Sequence, residues 1–255
     1  SNAKYSAMRE RSVGLGVMGL HSFFQQKNIP FGSVMSKVWN QKIFKHIQEK
    51  ADQASVKLAE ERGSCPDAEE YGIKERFSNK TAIAPTASIS VICGGASPGI
   101  EPIAANSYTH KTLSGSFNVR NKYLAKILER HGKNDDETWS SITTNQGSVS
   151  HLDFLTDIEK DTFKTAFEID QRWIVELGAD RTPNISQAQS INVFVPADIH
   201  KKDLHQIHFQ AWKKGLKSLY YCRSKSIQRA ENVNNGLSTE ATIKESKETK
   251  DYEEC

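Results

Sequence analysis

Apolar residues recur every three or four positions along much of the chain, the spacing of helices with one buried face. The longest such stretch, from Val34 to Arg62, is followed by Gly63, and glycine commonly ends a helix. The same spacing predicts further helices at residues 20–26, 121–132, 161–180 and 197–215. The chain is therefore expected to be rich in helices that each pack one face against a core.

Short β-branched runs between these helices predict strands. Residues 81–95, TAIAPTASISVICGG, predict a buried strand followed by a turn, whereas residues 95–108 carry Pro and Gly and are predicted to be a loop. Ile191, Val193 and Val195 alternate as in a strand, and a further short strand is predicted at residues 216–221. Helices alternating with single buried strands indicate an α/β layer or barrel.

The composition divides the chain into three parts. Ser1, Asn2 and Ala3 resemble the remnant of a cleaved expression tag, and residues 4–222 carry the periodic pattern of a folded domain. Residues 223–255 contain almost no large apolar side chains and many Lys, Glu, Ser, Thr and Asn. Such a segment buries too little surface to offset its ordering entropy, so a flexible, disordered tail is predicted there.

Charge and cysteine usage exclude several classes of protein. A net charge of +3 over 255 residues is too small to indicate a nucleic-acid or membrane partner. No apolar run approaches the roughly 20 residues of a membrane span, and no signal peptide is recognisable, so a cytoplasmic location is expected. The four cysteines lack C-x-x-C spacing, which predicts reduced thiols and no metal site.

Gly14, Gly16 and Gly19 have the G-x-G-x-x-G spacing of a dinucleotide-binding loop. Such a loop follows a strand and precedes an acidic residue about 20 positions on, but charged residues precede this one and no acid follows. The glycines are therefore predicted to allow close backbone packing. A nicotinamide-dependent oxidoreductase that uses this loop remains an alternative function, and a non-catalytic subunit-interaction module is another.

Residues 84–90, APTASIS, are a better candidate for binding phosphate. After an apolar strand, Pro85 fixes the backbone, and Thr86, Ala87 and Ser88 supply small side chains and accessible N–H groups. A helix or turn that starts here would direct several N–H groups at an anion. An ordinary helix cap uses the same residue types, and that alternative stays open.

Two adjacent tyrosines, Tyr220 and Tyr221, follow the last predicted strand. A tyrosine can lose a proton and an electron together, so the pair is a candidate for carrying a radical. The alternative is a pair of packed aromatic rings with hydrogen-bonded hydroxyls. Cys222, which follows them, is predicted to be a packed side chain.

Five motifs carry a resemblance that covers about residues 4–229. In chain order they are RSVGLGVMGL, APTASIS, SPGIEPIAANSYTHKTLSGSFNVRN, SQAQSINVFVP and LKSLYYCRSK. In this order they resemble the C-terminal third of the large (α) subunit of class I ribonucleotide reductases, closest in style to the bacterial class Ia enzymes. The resemblance implies the C-terminal portion of a ten-stranded α/β barrel, followed by a disordered tail.

The resemblance also implies a reaction and residue roles. The family reduces ribonucleoside diphosphates to deoxyribonucleoside diphosphates by a radical mechanism, a step of deoxyribonucleotide biosynthesis that supports DNA replication. The family's substrate-phosphate loop matches five residues here: Pro85, Thr86, Ala87, Ser88 and Ile89. Tyr220 and Tyr221 match the pair that relays the radical, and Cys255 is a candidate tail thiol for re-reducing the active site.

Cofactors and partners follow from the same resemblance. No cofactor or metal is expected in this part of the subunit, because the radical comes from a metal-containing β subunit. Thioredoxin or glutaredoxin supplies reducing equivalents, and ATP and dNTP effectors bind elsewhere. The expected partners are the ribonucleoside diphosphate, the β subunit and the remainder of the α subunit. No residue matches the family's finger-loop radical cysteine, so this part is expected to be inactive alone.

Overall fold

A computed structural model of the chain describes residues 1–112 and 115–224. Its helices are α1 (Asn2–Glu10), α2 (Leu20–Gln26), α3 (Val34–Arg62), α4 (Pro66–Glu70), α5 (Ala87–Ile92), α6 (Lys122–Arg130), α7 (Asp136–Thr144), α8 (Asp157–Thr162), α9 (Gln171–Arg181) and α10 (Lys201–Lys213). Its strands are β1 (Ser107–Thr112), β2 (Gly115–Arg120), β3 (Val193–Val195) and β4 (Cys222–Ser224). The strands β1 and β2 form an antiparallel hairpin.

Four neighbouring parallel segments form the sheet that positions the site. Bridges join Leu15 to Thr81 and Ile83 to Gln189, and β3 pairs with β4. The segments therefore lie side by side in the order 15, 81–83, 189–195 and 222–224, and helices connect each one to the next. Parallel segments joined by helices confirm the predicted α/β class.

The main core lies between this sheet and helices α2, α3 and α9. Phe24, Phe44 and Leu177 come from these helices, and Ile83 and Ile191 come from the sheet. All three residues of β3 are buried, as expected for a strand covered on both faces. A second core joins α6 and α7 with apolar residues on either side of α8, among them Leu155 and Phe163.

The long helix predicted from Val34 to Arg62 is confirmed, including its end at Gly63. The single helix predicted at residues 161–180 is wrong, because α8 ends at Thr162 and α9 begins at Gln171. Between these helices, Ala166 N–H donates a hydrogen bond to Ile103 O, in the loop that follows α5, at 2.7 Å. This contact draws the backbone away from a helical path.

Residues 81–95, predicted to be a buried strand followed by a turn, are a short extended segment followed by helix α5. Thr86 adopts a left-handed φ of 54°, which ends the extended run, and residues 87–92 form α5. Ile89 and Ile92 are exposed on this helix. In the described structure no helix or sheet packs over these β-branched residues, as it would over a buried strand.

The last predicted strand, at residues 216–221, is displaced toward the C-terminus. Gly215 has a φ of 75° and Leu216 N–H donates to Ala211 O, so the first of these residues still close helix α10. Sheet bonding starts at Tyr220, and β4 covers Cys222–Ser224. Residues 225–255, including Cys255, lie outside the described residues.

A buried histidine couples the stability of this fold to pH. His21 is 0% exposed, its Nδ1 accepts a hydrogen bond from Ile103 N–H at 3.0 Å, and its ring meets the Phe31 ring edge-on. Burial lowers the pKa of His21 from 6.5 to about 3. The folded protein therefore keeps this imidazole neutral in mildly acidic solution.

Lowering the pH from 7 to 5 is expected to cost the wild type about 2 kcal/mol more than the His21→Gln variant in free energy of unfolding. The unfolded chain takes up a proton below pH 6.5, whereas the folded chain resists protonation until about pH 3. Glutamine keeps an acceptor for Ile103 N–H but does not titrate. Urea unfolding at pH 7, 6 and 5 measures the difference, with exposed His205→Gln as the matched control. Parallel pH dependence in all three proteins would show that His21 does not set this effect.

Candidate functional site

The candidate phosphate loop lies where the central parallel segment 81–83 ends and α5 begins. Thr86, the residue before α5, is held in its left-handed conformation by its own side chain, since Thr86 Oγ1 accepts from Gly99 N–H at 2.7 Å. A Cβ at position 99 would lie 2.8 Å from Ala84 O, so the approach requires glycine. The loop is therefore clamped against the segment that contains Gly99.

The first turn of α5 presents backbone donors to solvent. Ser90 N–H is the first in the helix to find a carbonyl, that of Thr86 at 2.9 Å. The N–H groups of Ala87, Ser88 and Ile89 precede it and have no intrahelical acceptor. All three residues are exposed, so their donors are accessible at the carboxyl end of a parallel segment.

The glycines of the G-x-G-x-x-G stretch pack against the neighbouring segment, as predicted. A Cβ at Gly16 would lie 2.5 Å from Ala82 O, and one at Gly14 would lie 3.4 Å from the Ala82 Cβ. Gly19 has a φ of 83° and its N–H donates to Ser97 O at 2.8 Å. Helix α1, and not a strand, precedes the stretch. This geometry removes the basis for the nicotinamide alternative.

Tyr220 and Tyr221 form a close pair. Their ring centroids are 4.1 Å apart with 52° between the ring planes, and the residues are 48% and 54% exposed. A hydrogen bond to the Tyr221 hydroxyl raises the pKa of Tyr220. The Arg223 guanidinium carbon lies 5.6 Å from the Tyr221 ring centroid. The pair thus combines ring contact with an interaction between the two tyrosines that changes the titration of Tyr220.

The parallel register brings the loop and the tyrosine pair to one level of the sheet. Ile83 stands opposite Gln189, and Tyr220 N–H donates to Ile191 O at 2.8 Å. Two residues beyond this parallel pair, the register puts Pro85 beside Ile191. Tyr220 lies beside Ile191 on its other side. Two strand spacings amount to about 10 Å.

Two buried polar groups at this level were missed by the sequence analysis. Glu101 is 8% exposed and Asn192 is 1% exposed. Asn192 Nδ2 donates to Glu101 Oε1, and Asn192 Oδ1 accepts from Tyr221 N–H at 2.9 Å. Burial raises the pKa of Glu101 to about 7, against the opposing effect of the Arg223 charge. A polar residue inside each of the apolar runs GIEP and SINVF was the available signal.

A buried arginine supports the segment next to the loop. Arg181, 1% exposed, donates through Nε to Gln189 Oε1 and through a terminal nitrogen to Asn40 Oδ1, at 2.5 and 2.9 Å. Burial lowers the pKa of Arg181 to about 9, so the group is still charged at pH 7. Because Gln189 pairs with Ile83, this network links α3 and α9 to the base of the loop.

The thiols within the described residues are free, with Cys65 buried and Cys93 and Cys222 exposed. The prediction that Cys222 is packed is wrong, because β4 is an exposed edge strand. Within residues 1–112 and 115–224, no three His, Cys, Asp or Glu side chains are grouped to hold a metal. No helix of that same part of the chain is long and apolar enough to cross a membrane.

Comparison with known sequences identifies the family. The pattern described as ribonucleotide reductase, barrel domain, matches residues 1–75 and 67–222. The chain belongs to this ribonucleotide reductase family. Both the resemblance and the barrel portion predicted from it are thereby confirmed.

Individual relatives agree with this assignment. The ribonucleoside-diphosphate reductase large subunit of Invertebrate iridescent virus 6 is 48% identical over 237 residues, covering 91% of this chain and 24% of that protein. The large subunit of Caenorhabditis elegans is 32% identical and is covered over 36% of its length. The class Id ribonucleotide reductase alpha subunit of Actinobacillus ureae superposes with a TM-score of 0.81 at 40% identity, covering 87% of this chain and 40% of that one. The chain thus spans between about a quarter and two-fifths of these relatives.

Proposed function

We propose that this chain is part of the catalytic barrel of a ribonucleoside-diphosphate reductase α subunit, where it binds the substrate diphosphate and carries a radical toward the ribose. The observation that carries the proposal is the shared level of the phosphate loop and the tyrosine pair, on either side of Ile191. Family membership supplies the reaction class. Because the chain spans only part of its relatives, the complete reaction requires the rest of an α subunit.

The substrate diphosphate binds at the start of α5. Its oxygens accept hydrogen bonds from the N–H groups of Ala87, Ser88 and Ile89, which lack intrahelical acceptors. The Ile89 side chain offers the diphosphate no polar group, so this position acts through its backbone. Pro85 and Thr86 shape the approach, since Thr86 is clamped to Gly99. Charge-assisted hydrogen bonds of this kind are stronger than neutral ones.

The tyrosine pair passes a radical by moving one proton and one electron together. When Tyr220 is a neutral radical, the hydroxyl of Tyr221 gives up a proton and an electron to it, which restores Tyr220 and leaves the radical on Tyr221. The reverse transfer has the same balance. A ring separation of 4.1 Å suits this exchange, and Tyr221 also acts on the neighbouring hydroxyl, since it raises the pKa of Tyr220. The radical then moves to a cysteine thiol of the complete subunit.

The proposed partners follow from this role. A metal-containing β subunit delivers the radical, and thioredoxin or glutaredoxin returns reducing equivalents to the active site, with Cys255 as the candidate tail thiol. ATP and dNTP effectors act at sites elsewhere in the α subunit. The proposed compartment is the cytoplasm, where deoxyribonucleotide biosynthesis has reduced thiol partners.

Replacing Ser88 with proline tests the phosphate loop. Ser88→Pro removes one N–H at the second position of α5, where that N–H has no intrahelical acceptor, and is expected to raise the Kd of a ribonucleoside diphosphate about 10- to 100-fold. Ser88→Ala keeps that N–H and should change the Kd by less than about threefold. Calorimetric titration of the complete α subunit with CDP measures both. Equal affinity for the proline variant and the wild type would place the diphosphate elsewhere.

A further inference from the structure

A buried carboxylate lies beside the tyrosine pair without belonging to the loop or the pair. Glu101 follows the clamped Gly99 in the chain and is 8% exposed. A carboxylate in such a position carries a large desolvation cost unless neighbouring groups stabilise it. Two neighbours do so, since Asn192 donates a hydrogen bond to Glu101 and the positive charge of Arg223 favours its ionised form.

The orientation of the Asn192 amide is fixed by its partners. Tyr221 N–H is a donor, so the Asn192 atom that faces it at 2.9 Å must be the carbonyl oxygen. The amide nitrogen then faces Glu101, which accepts from it. The carboxylate, the amide and the Tyr221 backbone therefore form one continuous chain of hydrogen bonds, with Asn192 only 1% exposed at its centre.

The backbone of the tyrosine pair is held by bonds to the 189–195 segment, and one of them comes from the Asn192 side chain. All residues of β4 are exposed, and the two rings are about half exposed, so they lie outside the packed core. Tyr221 is held on one side by Asn192 Oδ1 and through its own carbonyl by Val193 N–H at 2.9 Å. The position of the rings is thus set mainly by the backbone that carries them.

Arg223 links the same carboxylate to the rings electrostatically. Its guanidinium lies over the Tyr221 ring, and its charge lowers both the pKa of Glu101 and that of Tyr220. An ionised Glu101 compensates the charge of Arg223. A neutral Glu101 leaves that positive charge acting on the hydroxyls, where it favours the phenolate form.

We propose that Glu101 is a positioning residue for the tyrosine pair: through Asn192 it holds the Tyr221 backbone, and through Arg223 it sets the electrostatic field at the two hydroxyls. The part of this inference that concerns radical transfer rests on the proposed function. The part that concerns the titration of the hydroxyls does not, and the two are measured separately.

The first measurement is the titration of the tyrosine hydroxyls in the 255-residue chain, followed by ultraviolet difference absorbance. Glu101→Gln keeps a carbonyl acceptor for Asn192 and removes the charge, so it should shift the titration of the pair to lower pH. Tyr220→Phe and Tyr221→Phe backgrounds identify the hydroxyl that moves. The double variant Glu101→Gln/Arg223→Gln should reverse the shift, because the uncompensated charge is gone. An unchanged titration in Glu101→Gln would overturn the electrostatic role.

The second measurement is turnover of the complete α subunit with its β subunit. Glu101→Gln should lower kcat about tenfold and leave the Kd of CDP within about twofold. Its neutral carbonyl holds Asn192 less strongly than a carboxylate does, and the charge of Arg223 is no longer compensated at the hydroxyls. Arg223→Gln in the same background should restore part of kcat. A residue with a merely structural role would show no such rescue. Unchanged kcat in Glu101→Gln would refute the positioning role.

The pH profile gives a third readout. Arg223 on β4 is the charged group that acts on Glu101, and burial raises the pKa of Glu101 to about 7. Wild-type kcat should therefore fall as the pH drops below about 7, and Glu101→Gln should lack this fall. If Tyr→Phe variants turn over normally while the hydroxyl titration still responds to Glu101, the relay proposal fails and the electrostatic role stands.

Discussion

Replacing either tyrosine of the pair with phenylalanine is expected to lower turnover of the complete α subunit at least about a thousandfold. The change deletes one hydroxyl and leaves a ring that can give up neither the proton nor the electron. In transition-state terms, the loss corresponds to more than about 4 kcal/mol. The Kd of the substrate should stay within about twofold, because Tyr220 and Tyr221 lie across Ile191 from the phosphate loop.

The measurement compares deoxyribonucleotide formation with CDP binding in each variant. Tyr71→Phe is the matched control, since Tyr71 is 78% exposed and precedes a turn far along the chain from the pair. It should retain wild-type turnover. Normal turnover in both Tyr220→Phe and Tyr221→Phe would disprove the relay, whereas weakened CDP binding would show that the pair supports the loop instead.

Replacing Arg181 with methionine is expected to lower the free energy of unfolding by about 3 kcal/mol. Methionine approximates the length of the side chain but leaves two buried acceptors, Asn40 Oδ1 and Gln189 Oε1, without their donor. Each unsatisfied buried group costs about 1–3 kcal/mol. The domain is therefore predicted to lose a large fraction of its total stability through one side chain.

Urea unfolding monitored by circular dichroism tests this prediction. Arg172→Met is the matched control, because Arg172 lies on the same helix with a side chain 70% exposed and pairs with Asp170. Surface ion pairs of this kind contribute less than about 1 kcal/mol. Equal losses in the two variants would show that the buried network has no special role. The Gln189 contact also predicts weaker CDP binding in Arg181→Met, because Gln189 pairs with the segment that leads to the loop.

Periodicity was sufficient to predict the long helix α3, and its end at Gly63, because the buried face repeats over many turns. It did not show where the strand that begins at residue 81 ends and α5 begins, because the run of β-branched residues continues from one into the other. The extended segment ends because Thr86 is left-handed, and its side chain is bonded to Gly99, a residue 13 positions further along the chain. The pattern of apolar and polar residues within a short segment cannot predict a contact of this kind.

The parts of the candidate site that the sequence predicted are those in motifs that resemble a known family. The loop and the tyrosines occur in recognisable motifs, and the structure places them at one level of the sheet. Glu101 and Asn192 lie 91 positions apart, and although each is a polar residue within an apolar run, nothing in either run indicates the other as its partner. Their meeting depends on the path of the loop after α5 relative to β3. That path is a property of the tertiary fold.

The clamp at Thr86 narrows the range of residues that evolution can place there. The position requires a backbone φ of 54° and a side-chain acceptor for Gly99 N–H. Glycine relieves the backbone but has no acceptor, and valine or isoleucine has no acceptor either. Aspartate accepts well but adds a negative charge beside a site for a diphosphate. Serine, threonine and asparagine remain, so related sequences that keep this loop should vary within those three residues at this position.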